Sequence, residues 1–289
     1  MAAHGVFIFV YLGGEQHVPF DVTHVRIDRS VRIIPSGASR NRTNLLSVET
    51  HDGIEKIEPQ AFDGCWSLRR IRLPIINRKV DLKKVGFPSV REVGNEAFSD
   101  CTDLWKVEFG DKLETIGSFA FFRCPSLRKI KMSSVRTIGR GAFLDCTGLG
   151  DLEFSDKLET IGEGAFIRCR SLGRIAIPLK DNMFPLHPAL QRCNQFGACS
   201  VLKTVDLVGI EGIHKTVASL RSWRVSWGDE ILQEISRIDQ VLPKTYPDEK
   251  TEAIRLWMRS VIVRIEHYKA EHYALLKEDM TQLEPWCRQ

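Results

Sequence analysis

The sequence predicts an α+β protein in which a solenoid of short parallel β-strands is followed by a helical hairpin. Three observations support this. A segment of 22 or 23 residues recurs along the chain, apolar and polar residues alternate within each copy, and after Leu207 the apolar period changes from 2 to about 3.6. We therefore divide the chain into an N-terminal β cap (1–30), a repeat solenoid (31–208) and a helical hairpin (209–289).

The repeat is clearest in residues 113–132 and 158–178. Both copies begin with Leu-Glu-Thr-Ile-Gly and continue through Ala-Phe, Cys-x-x-Leu and a final Leu-x-x-Ile. The Leu of Cys-x-x-Leu recurs at spacings of 23, 36, 23, 22, 23 and 30, at positions Leu45, Leu68, Leu104, Leu127, Leu149, Leu172 and Leu202. Residues 68–74 and 82–88 share one form, so we interpret the 36-residue interval as a short rung followed by a normal one. The 30-residue interval holds an extra loop at 180–194.

Alternation within each copy explains why the copies must stack. In residues 127–132, Ile130 and Met132 point inward while Lys129 and Lys131 point outward. A single rung cannot bury its apolar face alone, but seven or eight stacked rungs form a continuous core and a parallel ladder. Six of the eight cysteines occupy one repeat position, so we expect buried, reduced thiols that behave as small apolar groups.

The consensus Ile-Gly-x-x-Ala-Phe-x-x-Cys-x-x-Leu-x-x-Ile-x-Ile-Pro resembles the BspA-type leucine-rich-repeat family over residues 22–207. The resemblance implies a right-handed solenoid that binds proteins, and members of the family include adhesion proteins as well as intracellular ones. The first copy departs from the consensus, with Ser39 in place of Phe and Arg42 in place of Cys, and Gln195 replaces Ala in the last.

Outward positions of the main ladder define a basic strip beside one exposed tryptophan. Its candidate binding residues are Arg70, Arg72, Lys84, Trp105, Lys106, Lys129 and Lys131, with Arg69, Lys83 and Arg128 at its flank. One interpretation is a binding face for an acidic protein partner, with Trp105 as the aromatic anchor. The alternative is a solvated sheet face whose lysines serve solubility.

A second column of side chains lies six residues before each Ala of the Ala-Phe pair. Its charge alternates at every step: Arg32, Glu55, Arg91, Glu114, Arg136 and Glu159. We interpret it as an exposed ladder of cross-strand ion pairs, which the short rung would interrupt between Glu55 and Arg91.

The C-terminal region predicts two helices. Asp229 caps the first, which Pro243 ends, and the second runs from about 247 to 285 with an apolar stripe through Ile254, Met258 and Val261. The stripe has heptad spacing, so the helices either form a hairpin that caps the solenoid or an intermolecular coiled coil. The chain is accordingly expected to be a monomer or a coiled-coil dimer.

Composition and motifs exclude most other classes of function. The 289 residues are 43% hydrophobic with 41 basic and 37 acidic side chains, and this mild net charge of +4 indicates neither nucleic acid nor membrane as partner. No apolar run approaches the roughly 18 residues of a membrane span. Residues 6–12 favour a strand over a secretory signal, because no Lys or Arg precedes them. We expect a cytoplasmic location.

No nucleotide-binding, metal-binding or nucleophile motif is present in the sequence, so we expect neither cofactor nor metal. The sequence therefore predicts a non-catalytic protein–protein interaction module whose partner binds the exposed face of the ladder. Two alternatives remain: a secreted or cell-surface adhesin of the same repeat family, and an enzyme with a site in the 180–199 loop, where His187, Cys193 and Cys199 lie.

Overall fold

The computed structural model describes residues 8–72, 87–180, 182–185, 194–208 and 249–283. Those residues form thirteen short strands and one helix. In chain order they are β1 (Ile8–Tyr11), β2 (His24–Ile27), β3 (Ile33–Ile34), β4 (Ser47–Glu49), β5 (Lys56–Ile57), β6 (Arg70–Arg72), β7 (Glu92–Val93), β8 (Thr115–Ile116), β9 (Thr137–Ile138), β10 (Leu152–Glu153), β11 (Thr160–Ile161), β12 (Arg174–Pro178), β13 (Thr204–Val208) and α1 (Lys250–Leu283).

Strands from successive repeats pair in parallel, as the alternation predicted. The first ladder contains the sheet β1-β2-β4-β6, continues through isolated bridges at Lys106 and Lys129, and is followed by the sheet β10-β12-β13. The second ladder is the six-stranded sheet β3-β5-β7-β8-β9-β11. Equivalent residues of neighbouring copies are partners, for example Thr115 with Thr137 and Thr137 with Thr160.

The predicted short rung between Leu68 and Leu104 is wrong. Arg70 is bridged directly to Lys106, and the Phe62 N–H donates to the Ala97 carbonyl at 2.8 Å, so the two flanking copies are neighbours in the stack. Phe87 rejoins the ladder as the parallel partner of Phe109. In both ladders the flanking copies therefore pair directly, Arg70 with Lys106 and Lys56 with Glu92, and no strand lies between them. The similar motif at 82–88 misled the sequence interpretation, and most of it lies outside the described residues.

Two columns of identical side chains lie in the interior. The phenylalanines Phe62, Phe98, Phe121, Phe143, Phe166 and Phe196 are buried and stack with ring centroids 5.1–5.5 Å apart and planes within 10° of parallel. Beside them runs a column of six buried, free cysteines, as predicted: Cys65, Cys101, Cys124, Cys146, Cys169 and Cys199. Each Sγ–H donates to a backbone carbonyl of the preceding rung at 3.0–3.2 Å.

In several rungs a glycine at the corner is required because the backbone of the preceding rung approaches it closely. A Cβ at Gly139 would lie 2.5 Å from the Ser118 nitrogen, and one at Gly162 would lie 2.6 Å from the Arg140 nitrogen. Such distances are shorter than any tolerated non-bonded contact, so the corner packs backbone against backbone.

The N-terminal end continues the stack. Strands β1 and β2 pair in parallel beside β4, and the Val18 N–H donates to the Ala38 carbonyl as the Phe N–H does in later rungs. Arg42, which stands at the cysteine position, is nearly buried; its Nε–H donates to the Val18 carbonyl and its guanidinium lies 4.0 Å from the centre of the Phe20 ring.

At the C-terminal end, helix α1 packs against the last rung through Ile254, Met258 and Val261, which are buried as the predicted stripe requires. The Lys250 ammonium, also buried, donates to the carbonyls of Cys199 at 2.7 Å and Leu202 at 2.8 Å. The other predicted helix, which begins after Asp229, lies outside the described residues. Among those residues no helix is both long and apolar enough to cross a membrane.

Candidate functional site

The basic strip is centred on three positions of the first ladder. Arg70, Lys106 and Lys129 are successive parallel partners, so their side chains emerge from neighbouring rungs, roughly 5 Å apart. Arg72 follows in β6 as the partner of Glu49. Lys84, which the sequence analysis placed between Arg70 and Lys106, lies outside the described residues, and the direct bridge between those two leaves no strand between them.

Trp105 lies between two grooves on this face, with 49% of its surface exposed. The larger groove has a volume of about 960 Å³ and an apolar floor that includes Val107 and Phe109. Its charged lining comprises five basic and three acidic residues, Lys106, Lys112, Arg128, Lys129, Lys131, Glu108, Asp111 and Glu153. The smaller groove, of about 650 Å³, runs along the edge of the rungs past Arg69, Asp103 and Pro125.

Several of the predicted basic residues are already neutralised. The Lys106 ammonium is 2.6 Å from the Glu108 carboxylate, and Lys131 donates to Asp111, which lowers the pKa of that carboxyl. Arg69 pairs with Asp103 at 3.4 Å.

Three exposed cations beside Trp105 are not neutralised in this way. In the part of the chain that the structure describes, Arg70, Arg128 and Lys129 form no ion pair with a carboxylate. They are therefore the exposed positive charges of this face that have no carboxylate partner among the described residues.

A second exposed tryptophan was missed by the sequence analysis. Trp66 is 56% exposed and borders a groove of about 550 Å³ with Asp63, Asp100 and Arg123. Its carbonyl accepts from the Asp103 N–H at 3.0 Å, so it lies on the rung next to Trp105. The repeat register could have identified this residue. Thr102 and Pro125 occupy the same repeat position as Trp66, directly after the column cysteine, and neither is a residue type typical of a buried core.

The repeat cysteines have the wrong chemistry for nucleophiles. Burial raises the pKa of Cys65, Cys146 and Cys199 to about 12 and that of the other three column thiols in the same direction. A thiol of that kind stays protonated near neutral pH and is unreactive. Among the described residues no group of three or more His, Cys, Asp or Glu side chains could hold a metal ion; His187 and Cys193 lie outside those residues.

These features define a class: a repeat protein whose successive segments stack as parallel strands and present a grooved, charged outer face. Within that class, the chain belongs to the BspA type leucine rich repeat family, whose model matches residues 19–80 and 75–194 in six copies. Membership implies protein–protein interaction or adhesion in general terms, and proteins of this repeat family are typically not enzymes.

Solved structures of bacterial leucine-rich repeat proteins are similar to the chain. One from T. pallidum is 26% identical over 66% of this chain and 83% of that one, with a TM-score of 0.44. A leucine rich cell surface protein from Faecalibacterium prausnitzii is 20% identical over 67% of this chain and 65% of that one, with a TM-score of 0.40. A protein from Bacteroides ovatus is 19% identical, covers 72% and 70%, and has a TM-score of 0.37. No curated protein matches the chain significantly.

Proposed function

We propose that the chain is a non-catalytic protein-interaction module that binds its partner on the outer face of the first ladder, around Trp105. The observation that supports this most directly is a half-exposed tryptophan between two grooves, with the cations Arg70, Arg128 and Lys129 beside it.

The two features have complementary roles in recognition. Covering Trp105 removes a large apolar surface from water, which is why tryptophan is enriched among the residues that dominate binding energy. The unpaired cations attract an acidic partner and fix its orientation more than they add affinity. The paired residues Lys106 and Lys131 contribute less, because a partner would first have to displace Glu108 or Asp111.

Site-specific photo-crosslinking tests this proposal. A benzoylphenylalanine placed at Trp105 is expected to capture a discrete protein partner in a native lysate. The same group at Phe20, an aromatic residue that is 68% exposed near the N-terminal end, is the matched control. Equal capture at both positions, or none at Trp105, would contradict the proposal.

Charge reversal provides a second arm once a partner has been captured. Lys129→Glu is expected to weaken binding about tenfold or more, since it places a carboxylate where the partner carries one. Arg259→Glu makes the same change at an exposed site of α1, away from the first ladder, and should leave binding unchanged. If both variants bind alike, a specific basic strip is not involved.

We further propose a right-handed solenoid of seven rungs, one for each Cys-x-x-Leu position, closed by a hairpin in which a helix beginning after Asp229 packs on α1 within one chain. Contact of α1 with the last rung supports the capping role. Slow hydrogen exchange in residues 229–242 that does not change with protein concentration would distinguish this hairpin from an intermolecular coiled coil.

We also propose a cytoplasmic location, which the six buried free thiols support because disulfides are rare in that compartment. Cell fractionation tests it, and recovery from the cell surface would favour the adhesin instead.

A further inference from the structure

The second ladder presents a continuous column of alternating charge on a face separate from Trp105. Backbone hydrogen bonds of 2.8–2.9 Å connect each member to the next, including the Arg91 N–H to the Glu55 carbonyl. The column is therefore not interrupted where the sequence analysis placed the short rung. At the strand spacing of a sheet, its six residues span roughly 24 Å.

The side chains of this charge column are accessible. Half or more of each is exposed, from 50% for Glu114 to 71% for Arg32. Within the chain they pair along the column: Arg32 with Glu55 at 2.9 Å, Arg91 with Glu114 at 3.4 Å and Arg136 with Glu159 at 3.4 Å. Exposed pairs of this kind are individually weak, so each side chain remains available to a second carboxylate or guanidinium.

An alternating column with an even number of members is complementary to its own reverse. When two copies lie antiparallel, with a two-fold axis between Arg91 and Glu114, every arginine meets a glutamate. The three kinds of contact, each made twice, are Arg32 with Glu159 of the second copy, Glu55 with Arg136 and Arg91 with Glu114. A two-fold contact of one surface with itself is the usual basis of a homodimer.

We propose that this charge column is the contact surface for a second copy of the chain in an antiparallel homodimer. The alternative arrangement, with the two columns parallel and in register, would place like charges together at every rung. Charge complementarity thus selects both the occupant and its orientation.

Neighbouring columns agree with the same axis. The residues one position after each member of the charge column form a second column. In the antiparallel dimer, Lys56 would face Thr137 of the second copy, Glu92 would face Thr115 and Ile33 would face Thr160. Three residues before the charge column, Arg29 would face Asp156. No like charges meet in these columns.

The dimer should be weak and sensitive to salt, because its contacts are exposed ion pairs. Sedimentation equilibrium at an ionic strength of about 0.1 M, where charges interact over about 10 Å, is expected to show reversible dimers of the full chain. At about 1 M, where that distance falls to about 3 Å, the dimers should dissociate. A monomer under both conditions at several hundred micromolar protein would overturn the proposal.

Matched double swaps separate contacts between copies from pairs within the chain. Arg32→Glu with Glu55→Arg keeps all three internal pairs and the net charge, but four of the six contacts between copies become like-charged. We expect dimerisation to weaken at least tenfold. Arg91→Glu with Glu114→Arg also keeps the internal pairs and net charge, yet leaves every contact between copies complementary, so its dimer should persist.

Restoration completes the test. Adding Arg136→Glu and Glu159→Arg to the first swap makes all six contacts complementary again, and dimerisation should return. Dimers that survive the first swap, or that are lost equally in both double swaps, would overturn the proposal. The face around Trp105 is unchanged in every variant, so crosslinking at that position tests the interaction function independently.

Discussion

In the interior of the stack, the N–H of each column phenylalanine donates to a backbone carbonyl of the following rung, as Phe121 does to Ala142 at 2.8 Å. At the last rung that carbonyl is replaced by a side chain: the Phe196 N–H donates to the Thr251 hydroxyl at 2.9 Å. At the opposite end, Arg42 occupies the cysteine position and donates to the Val18 carbonyl as the interior thiols do to theirs. In the interior, backbone groups are therefore hydrogen-bonded by the equivalent residues of neighbouring rungs. At the ends, individual side chains supply those hydrogen bonds.

This difference shows where the stability of the molecule is shared and where it is local. An interior rung is held by neighbours on both sides, so a change there affects the whole column. A terminal rung depends on one neighbour and on a few polar contacts, so a change there should loosen only the adjacent segment.

The largest expected effect is a loss of stability at high pH, because the six column thiols ionise in the unfolded chain and stay protonated in the folded one. Burial raises their pKa, so above pH 9, the ordinary value, the unfolded chain loses thiol protons that the folded chain retains. Stability is therefore fully present below pH 9 and falls as pH rises above it. Each thiol contributes about 1.4 kcal/mol per pH unit, so the six together cost about 8 kcal/mol at pH 10.

Urea unfolding under reducing conditions at pH 7, 9 and 10 measures this loss. Cys146→Ala is the matched variant: it should be less stable at pH 7, because it leaves a small cavity, and should lose less stability between pH 9 and 10 than the unchanged chain. An identical pH dependence in both proteins would argue against a contribution of this thiol.

A smaller but still large effect is expected from a single interior ring. Phe121 is fully buried between Phe98 and Phe143, so Phe121→Ala should lower the free energy of unfolding by about 3–5 kcal/mol. Phe122→Ala, at the next and partly exposed residue, should cost much less. Chemical denaturation of both variants measures the difference. Similar losses of unfolding free energy would contradict a special contribution of the stacked phenylalanine column to stability.

The interior could be predicted from the sequence because its residues recur: the spacing of Leu127 from Leu149 fixes which strands pair, and alternation fixes which side chains face inward. The ends could not be predicted in the same way. Nothing in a repeat pattern indicates that Lys250, some fifty residues after Cys199, donates to its carbonyl. The candidate site lies between these cases. Repeat register identified Trp105 and Lys129, but which lysines are neutralised depends on Glu108 and Asp111, whose geometry no spacing specifies.

Removing the C-terminal contact should have a local effect of intermediate size. Lys250→Met keeps a long side chain but removes the ammonium donor from both carbonyls. The Cys199 carbonyl still accepts from the Leu202 N–H at 3.2 Å, whereas the Leu202 carbonyl loses its donor, which costs about 1–3 kcal/mol when such a group remains buried. Hydrogen exchange should quicken at the start of α1 and in residues 199–205 while residues 87–180 stay protected. Lys203→Met, at an exposed lysine of the same rung, is the control. Faster exchange throughout the stack would mean that the end is not local.

The smallest expected effect tests whether the first rung requires Arg42 at the position that is cysteine in the interior rungs. Arg42→Cys restores the residue that the interior uses, and its thiol can donate to the Val18 carbonyl as Cys65 does to Ser39 at 3.0 Å. It loses the donation from Arg42 to the Arg40 carbonyl and the contact with the Phe20 ring, so we expect a net loss of about 1 kcal/mol. Arg42→Ala, which restores neither donor, should cost more. Hydrogen exchange of residues 18–27 measures the stability of this end in both variants. A Cys variant at least as stable as the unchanged chain would show that the repeat cysteine stabilises this end as well as Arg42 does.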